Sequence, residues 1–300
     1  MWFKNLSLLR WEGDAVPAAG ELAEAMASRR RPPCGPLESF SMGFVSPFGP
    51  EQEELLHGLA GFELLNLGQE KRILPPAVVA EHVHAQVQAI ESETGRPPGK
   101  RRRRELAEQA MSELLPKAFV VRSSTSAYLD RQRRLLVVDS GSDKTAEAVA
   151  HELREALGSF PAKPLTTQTD PSALLTAWLA GEEPLPADFE LGEECELRDP
   201  ADTHTVIGAR GHDLEAEEIR EHLRNGKVVN RLGLVYDQRI SVVIDAQLKL
   251  RKLKFLDLVL EKLDSDRQEA AAELDARFAL MTHELARLFG RLDELFGFDG

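Results

Sequence analysis

Two segments, His151-Glu152-Leu153 and His283-Glu284-Leu285, begin as the zinc-binding helix of a metalloprotease begins. That chemistry needs a second histidine four residues after the first, so that both imidazoles reach one ion from one helix face. Those positions hold Glu155 and Arg287, and the pattern fails twice. His82 and His84 are two apart, which puts them on different faces of a helix. Ser140 to Thr145 (SGSDKT) has the Lys-Thr pair of a phosphate-binding loop, but that loop needs a glycine before the lysine and another five residues earlier. Asp143 and Val138 stand there, and an acid at that point repels a phosphate. Asp139, Asp143 and Glu147 offer carboxylates for a magnesium-dependent nuclease, although acids at a helix start ordinarily serve the helix dipole. There is no G-x-S-x-G elbow and no G-x-G-x-x-G turn. Cys34 and Cys195 form no C-x-x-C motif and read as reduced structural thiols. The expectation is a non-enzymatic protein: no catalytic residue, no metal ligand and no cofactor.

The chemistry that remains is that of positive charge. Gly95 to Arg104 (GRPPGKRRRR) holds six cations and no acid, in a chain whose formal net charge is -13. Arginine is a strong phosphate partner because its planar fork donates two hydrogen bonds at once. At 100° per residue, Arg101, Arg102, Arg103 and Arg104 cover most of a helix circumference, so they project around a tip or line a groove. Taken alone, such a run reads equally as a solvated face or a nucleic-acid contact. A second set follows in LLPKAFVVRSSTS, with Lys117, Phe119 and Arg122 and a row of hydroxyls suited to phosphate oxygens. Alternation puts Lys117 and Phe119 on one strand face, if the strand starts that early, and Arg122 on the other. Phe119 reads as a core residue or as an exposed contact. Aromatic content of 6% does not supply the repeated rings of a single-strand stacking platform. Backbone-directed binding of duplex DNA without base reading fits better, and no helix-turn-helix or zinc-finger pattern is present.

These residues need elements to hold them. Trp2 to Arg10 alternates as a half-buried strand. Short strands are expected at Phe40–Val45, Glu53–Leu59 and Phe62–Leu67. After Pro75-Pro76 the period becomes helical, from Pro76 to Gly95 and again from Lys100 to Leu115, around a Pro/Gly turn. The basic run sits at the turn of that helical hairpin. Strands are expected at Ala118–Leu129 and Arg134–Asp139, then helices at Asp143–Leu157, capped by Ser142, and at Pro171–Ala180. Glu182 to Asp202, with nine acids and one base, reads as a link. A helix at Glu215–Arg224, strands at Lys227–Tyr236, Ile240–Asp245 and Leu248–Phe255, and a long helix from Asp266 to Phe296 complete the chain. HELREALG and HELARLFG read as two amphipathic helices sharing common helix formers. Strands and helices do not strictly alternate, which makes the class α+β.

Three hundred residues suit two or three domains. The plan is a central α+β domain of residues 1–75 plus 117–170, a helical hairpin (tip) lobe at 76–116, and a C-terminal α+β domain at 171–300. No apolar run is long enough to cross a membrane, and MWFKNLSLLRW lacks the build of a signal peptide, so the expected location is the cytoplasm.

The chain also resembles the RdgC family of recombination-associated proteins. The matching blocks include MWFKNL, MGFVSPFG, KRILP, LLPKAF, LLVVDSGSDKTAE, REALGSFPAKPL, ECELRD, DLEAEEIREHLRNGKVVNRL, LKLRKLKF and DARFALMTHELA, in order over nearly the whole length. The resemblance implies a multi-lobed, horseshoe-like protomer with mixed or antiparallel sheets, a protruding helical hairpin and a long C-terminal helix, paired into a ring-shaped homodimer. It implies a nucleoid-associated DNA-binding protein that encircles duplex DNA without strong sequence preference, restrains RecA-dependent recombination and is linked to replication. Single-stranded DNA is a further implied ligand, and no membrane contact is implied. Lys117, Phe119 and Arg122 match the family's basic LLP-[KR]-AF block, and Lys100 to Arg104 is denser than the scattered lysines of family hairpins. Arg210 and His212 fall where the family carries a basic-polar cluster, although Gly208 and Gly211 stand where cations are expected. Two other readings stay open: a factor that binds RecA or a replication protein directly, with the basic run at a subunit interface, and a magnesium-dependent nuclease.

Overall fold

The computed structural model describes residues 2–202, 205–211, 213–261 and 270–299. The alternating N-terminal segment becomes β1 (Leu6–Trp11), and its two faces enter two different cores. Leu6 and Leu8 join one cluster, Leu9 and Trp11 the other. A strand buried on both faces belongs inside a sheet. β1 lies there, between β6 (Leu135–Asp139) and β12 (Leu250–Phe255). β6 repeats the pattern, with Leu135 and Val137 on one side, Leu136 and Val138 on the other.

One sheet of twelve strands organises the described chain. On one side of β1, its path runs through β6, β5 (Phe119–Asp130) and β4 (Phe62–Ile73) to β2 (Phe40–Val45). On the other side it runs through β12, β11 (Ile240–Asp245), β10 (Val228–Tyr236) and β8 (Phe189–Arg198) to β9 (Val206–Arg210). β3 (Leu56–Leu59) pairs with β4, and β7 (Ala162–Pro164) with β1. Every pairing between named strands is antiparallel, so the expected mixed or antiparallel sheets are a single antiparallel sheet. The α+β class holds.

Helices cover both faces. α1 (Ala19–Ala27) and α4 (Asp143–Leu157) bury Leu22, Met26, Val149 and Leu153 against one. α5 (Pro171–Ala180) and α8 (Ala270–Phe296) bury Trp178, Phe278, Leu285 and Phe289 against the other. Two shorter helices are α6 (Glu217–Arg224) and the single turn α7 (Asp257–Leu260). The expected start of the long helix at Asp266 lies outside the described residues. Ser142 is the N-cap of α4, but its side chain makes no capping bond.

The acidic stretch is corrected. Its second half is not a link but β8, bonded to β10 and β9. Phe189, Cys195 and Leu197 point into the core, while a register shift near Gly192 interrupts the alternation that would have exposed the strand in sequence. Both cysteines are free and buried. The HEL segments also gain a role. Glu152 accepts from Arg29 Nε at 3.0 Å and NH2 at 3.1 Å. Glu284 accepts from Arg239 NH1 at 2.9 Å and Arg287 NH1 at 3.2 Å. Each glutamate is a buried anchor for arginines brought in from other elements or from its own helix. No described helix is long and apolar enough to cross a membrane.

Candidate nucleic-acid interface

The site begins where the sheet leaves its core. β4 and β5 pair over twelve residues each, from Phe62↔Asp130 to Ile73↔Phe119. The inner part of β5 is buried, whereas Phe119 to Ser124 are exposed. At the outer end of this ribbon the chain departs into α2 (Pro76–Thr94) and α3 (Lys100–Leu114), then returns through a 3₁₀ turn at Leu115–Lys117. Gly95, left-handed at φ 71°, ends α2 and turns the chain. The two helices pack on each other and share no extended interface with the rest of the described chain. α2 buries no residue, and α3 buries only Leu106 and Ala110.

The basic run opens α3. Lys100 is its first residue, and no acid lies in its first turn. The N-terminal end of a helix carries partial positive charge and unpaired N–H groups, so cations there are opposed and an anion is favoured. The arginines are partnered only locally. Arg101 Nε donates to Glu105 at 3.3 Å, Arg102 NH1 to the same carboxylate at 3.1 Å, and Arg104 Nε to Glu108 at 3.0 Å. Arg103 Nε donates to the Pro98 carbonyl at 3.1 Å. Arg101 and Arg104 side chains remain 95% and 84% exposed. Pairs of this kind contribute about 0.3–0.5 kcal/mol, so a phosphate replaces either carboxylate at little cost. Lys100 is exposed and makes no ion pair among the described residues.

The second set sits at the base of the hairpin. Fifteen residues of α3 at about 1.5 Å each place it about 22 Å from the tip, two stations rather than one patch. Lys117 lies in the 3₁₀ turn, not in β5, which starts at Phe119; the expectation that the two share a strand face is corrected. Lys117 is exposed and makes no ion pair among the described residues. Phe119 is 84% exposed and is not a core residue. With Val121 it shares a face with Ile73 and Lys71, the residues opposite, and with Phe40 of β2. Lys71, exposed in the middle of this apolar face, escaped the sequence reading although it lies in the KRILP block.

Arg122 lies on the other face, as alternation required. Its Nε donates to Glu70 at 2.8 Å, and Glu70 also accepts from the Cys34 N–H at 2.9 Å and lies 3.2 Å from Arg31. The Glu70 side chain is only 6% exposed. The Cys34 amide first, then the Arg122 guanidinium, hold its carboxyl below the ordinary glutamate range, against the opposing effect of burial. Arg122 is thus half neutralised at its root, while its side chain stays exposed.

Arg210 does not join this region. It lies on β9 at the far edge of the sheet, with Glu194 at 3.7 Å. Seven inter-strand steps at about 4.8 Å separate β9 from β5, so within this chain the two do not form one surface. His212 lies outside the described residues. The carboxylates considered for magnesium each have a partner of their own: Asp139 accepts the Lys4 and Asn5 N–H groups, Asp143 pairs with Lys249, and Glu147 with Arg154. Among the described residues no three His, Cys, Asp or Glu side chains gather to hold a metal.

The model of one protein family, described as "RdgC: Putative exonuclease, RdgC", matches residues 1–299. Among curated relatives, the Recombination-associated protein RdgC of Xanthomonas axonopodis pv. citri (strain 306) is 45% identical over 291 residues, 96% of each chain. That of Xanthomonas campestris pv. campestris (strain B100) is 44% identical over 296 residues, 98% of this chain and 97% of its own. That of Xylella fastidiosa (strain 9a5c) is 43% identical over 291 residues, 96% and 95% respectively. The match spans the ribbon, the hairpin and both halves of the sheet, and the chain belongs to the RdgC family.

Proposed function

We propose that this protein is a sequence-nonspecific DNA-binding protein of the nucleoid, which encircles duplex DNA as a homodimeric ring and restrains RecA-dependent recombination, with a link to replication. One observation carries the DNA contact: α3 opens with five consecutive cations at the helix end that favours anions, and their carboxylate partners are weak and local. The relatives' name supports a place in recombination. The charge distribution supports a closed assembly. A chain of net charge -13 whose densest run of exposed cations lies at the tip of one arm would hold DNA by enclosing it with that arm rather than by a general attraction. The contacts are to phosphates, with Lys100 to Arg104 at the tip and Lys117 and Arg122 at the base. Phe119 lies against the nucleic acid beside them. No step of this reading is catalytic.

The test is fluorescence anisotropy of a labelled duplex over a salt series, for the native chain and for one with Ala at Arg101, Arg102, Arg103 and Arg104. The native log-log slope is expected to be steep, and the variant flatter by about 0.9 for each phosphate released. Equal slopes would remove the tip from the DNA. A second reading, direct contact with RecA or a replication protein, is favoured by the exposed apolar face of Phe40, Ile73, Phe119 and Val121. Binding through that face is insensitive to salt. The nuclease reading carried by the family model's description requires loss of the labelled DNA when magnesium is added.

A further inference from the structure

The hairpin hangs on two short links, Leu74–Pro75 and Leu115–Ala118, and its helices share no extended interface with the sheet. Something must set the angle at which it leaves. Arg72 stands at this junction, next to last in β4. Its Nε donates to the Gly35 carbonyl at 3.2 Å and its NH2 to Cys34 at 3.3 Å. Its NH1 donates to the carbonyls of Leu115 at 3.3 Å and Pro116 at 3.4 Å. All four acceptors are backbone, and no carboxylate pairs with Arg72 among the described residues.

Two otherwise independent segments meet on this one guanidinium. On one side is the irregular RPPCGP stretch, already tied to β4 because Glu70 accepts the Cys34 N–H. On the other is the 3₁₀ turn at the exit of α3, where the Leu115 carbonyl also accepts the Ala118 N–H at 3.1 Å and the helix dipole favours a cation. The fork of arginine reaches both at once; a lysine ammonium, a single point on a flexible stem, does not.

We infer that Arg72 is a positioning residue, a pin that fixes the pose of the basic hairpin on the sheet and so sets where the tip cations meet a phosphate backbone. This rests on the DNA-binding reading for its consequence, though not for the pin itself.

The experiment uses the full chain with Arg72→Ala and Arg72→Lys, and two measurements. Hydrogen exchange, without DNA, is expected to quicken in both variants for the peptides covering 32–36 and 115–118 and to stay unchanged in β6 and β10. Duplex affinity at low salt is expected to fall about tenfold in both, the equivalent of one lost charge-assisted hydrogen bond. If Arg72 instead touched phosphate itself, Arg72→Lys would keep the charge and bind as the native chain does, and the inference would be overturned. Unchanged exchange in both segments would overturn it as well. Should the native chain bind no duplex, the DNA reading fails while the exchange data still decide whether Arg72 pins the arm.

Discussion

The basic tip at Lys100–Arg104 and the acidic strand at Glu190–Glu196 are both dense in one charge, and their side chains are held in different ways. At the tip, each carboxylate partner lies three or four residues along the same helix, and the arginines stay exposed. In β8, Glu194 pairs with Lys252 and Arg210, and Glu196 with Arg198 and Arg231, mostly across strands. Phe189, Cys195 and Leu197 of the same strand are buried. Pairs within one helix constrain nothing beyond that helix, and an outside anion can displace them. Pairs across strands fix register, and opening them leaves a partly buried charge alone. The same kind of sequence signal therefore marks a surface open to exchange in one region and an internal fastening in the other.

The fastening mode has its extreme in Glu284. Its side chain is 1% exposed and accepts from Arg239, which β10 and β11 present, and from Arg287 of its own helix. Glu284→Ala removes two charge-assisted hydrogen bonds and leaves Asp237 as the anion that Arg239 and Arg287 share, which costs about 3 kcal/mol. Denaturant unfolding is the measurement. A loss below about 1 kcal/mol would place Glu284 with the exchangeable pairs and break the distinction.

Glu70 stands between the two modes, since it is buried itself but grips an exposed arginine. Glu70→Gln is expected to destabilise the chain by about 1–3 kcal/mol at neutral pH, because Arg31 and Arg122 lose their anion. The sign with pH follows from the direction of the shift. The folded carboxyl is held below its ordinary 4.5, so its stabilisation is full above that value and is lost as pH falls through the folded one. Unfolding of the native chain and the variant should therefore converge as pH drops below 4.5. A gap that stays constant into the acid range would mean that the carboxylate charge is not what Glu70 contributes.

These cases also show how far the sequence reaches. Helices α4 and α5 and strands β2 and β11 lie where periodicity and turn residues put them, because each buries a regular stripe. β4 was expected to stop at Leu67 and runs to Ile73, since past Gly68 the ribbon leaves the core and apolar alternation no longer applies. β8 was hidden by a bulge and by acids whose partners come from strands distant in sequence. The basic tip was legible because its meaning is local: consecutive arginines at a helix start need no tertiary context. Glu70 and Arg72 were not. Their partners lie between 31 and 122 in the chain, and only the folded ribbon brings them together.

The smallest expected effect is the most direct probe of exchange at the tip. Glu105→Gln with Glu108→Gln removes the internal anions that hold Arg101, Arg102 and Arg104. Stability should fall by about 1 kcal/mol, the worth of three exposed pairs at about 0.3–0.5 kcal/mol each. Duplex affinity at low salt should rise about two- to fivefold, because phosphate no longer competes with a carboxylate for the same guanidinium groups. Two negative charges fewer would raise affinity anywhere on the molecule, so the control is the same change at Glu190 and Glu193, on the opposite half of the sheet. A larger rise for the tip pair assigns the gain to freed arginines. An equal rise in both would mean that only the overall charge matters, and that local pairing at the tip does not compete with DNA.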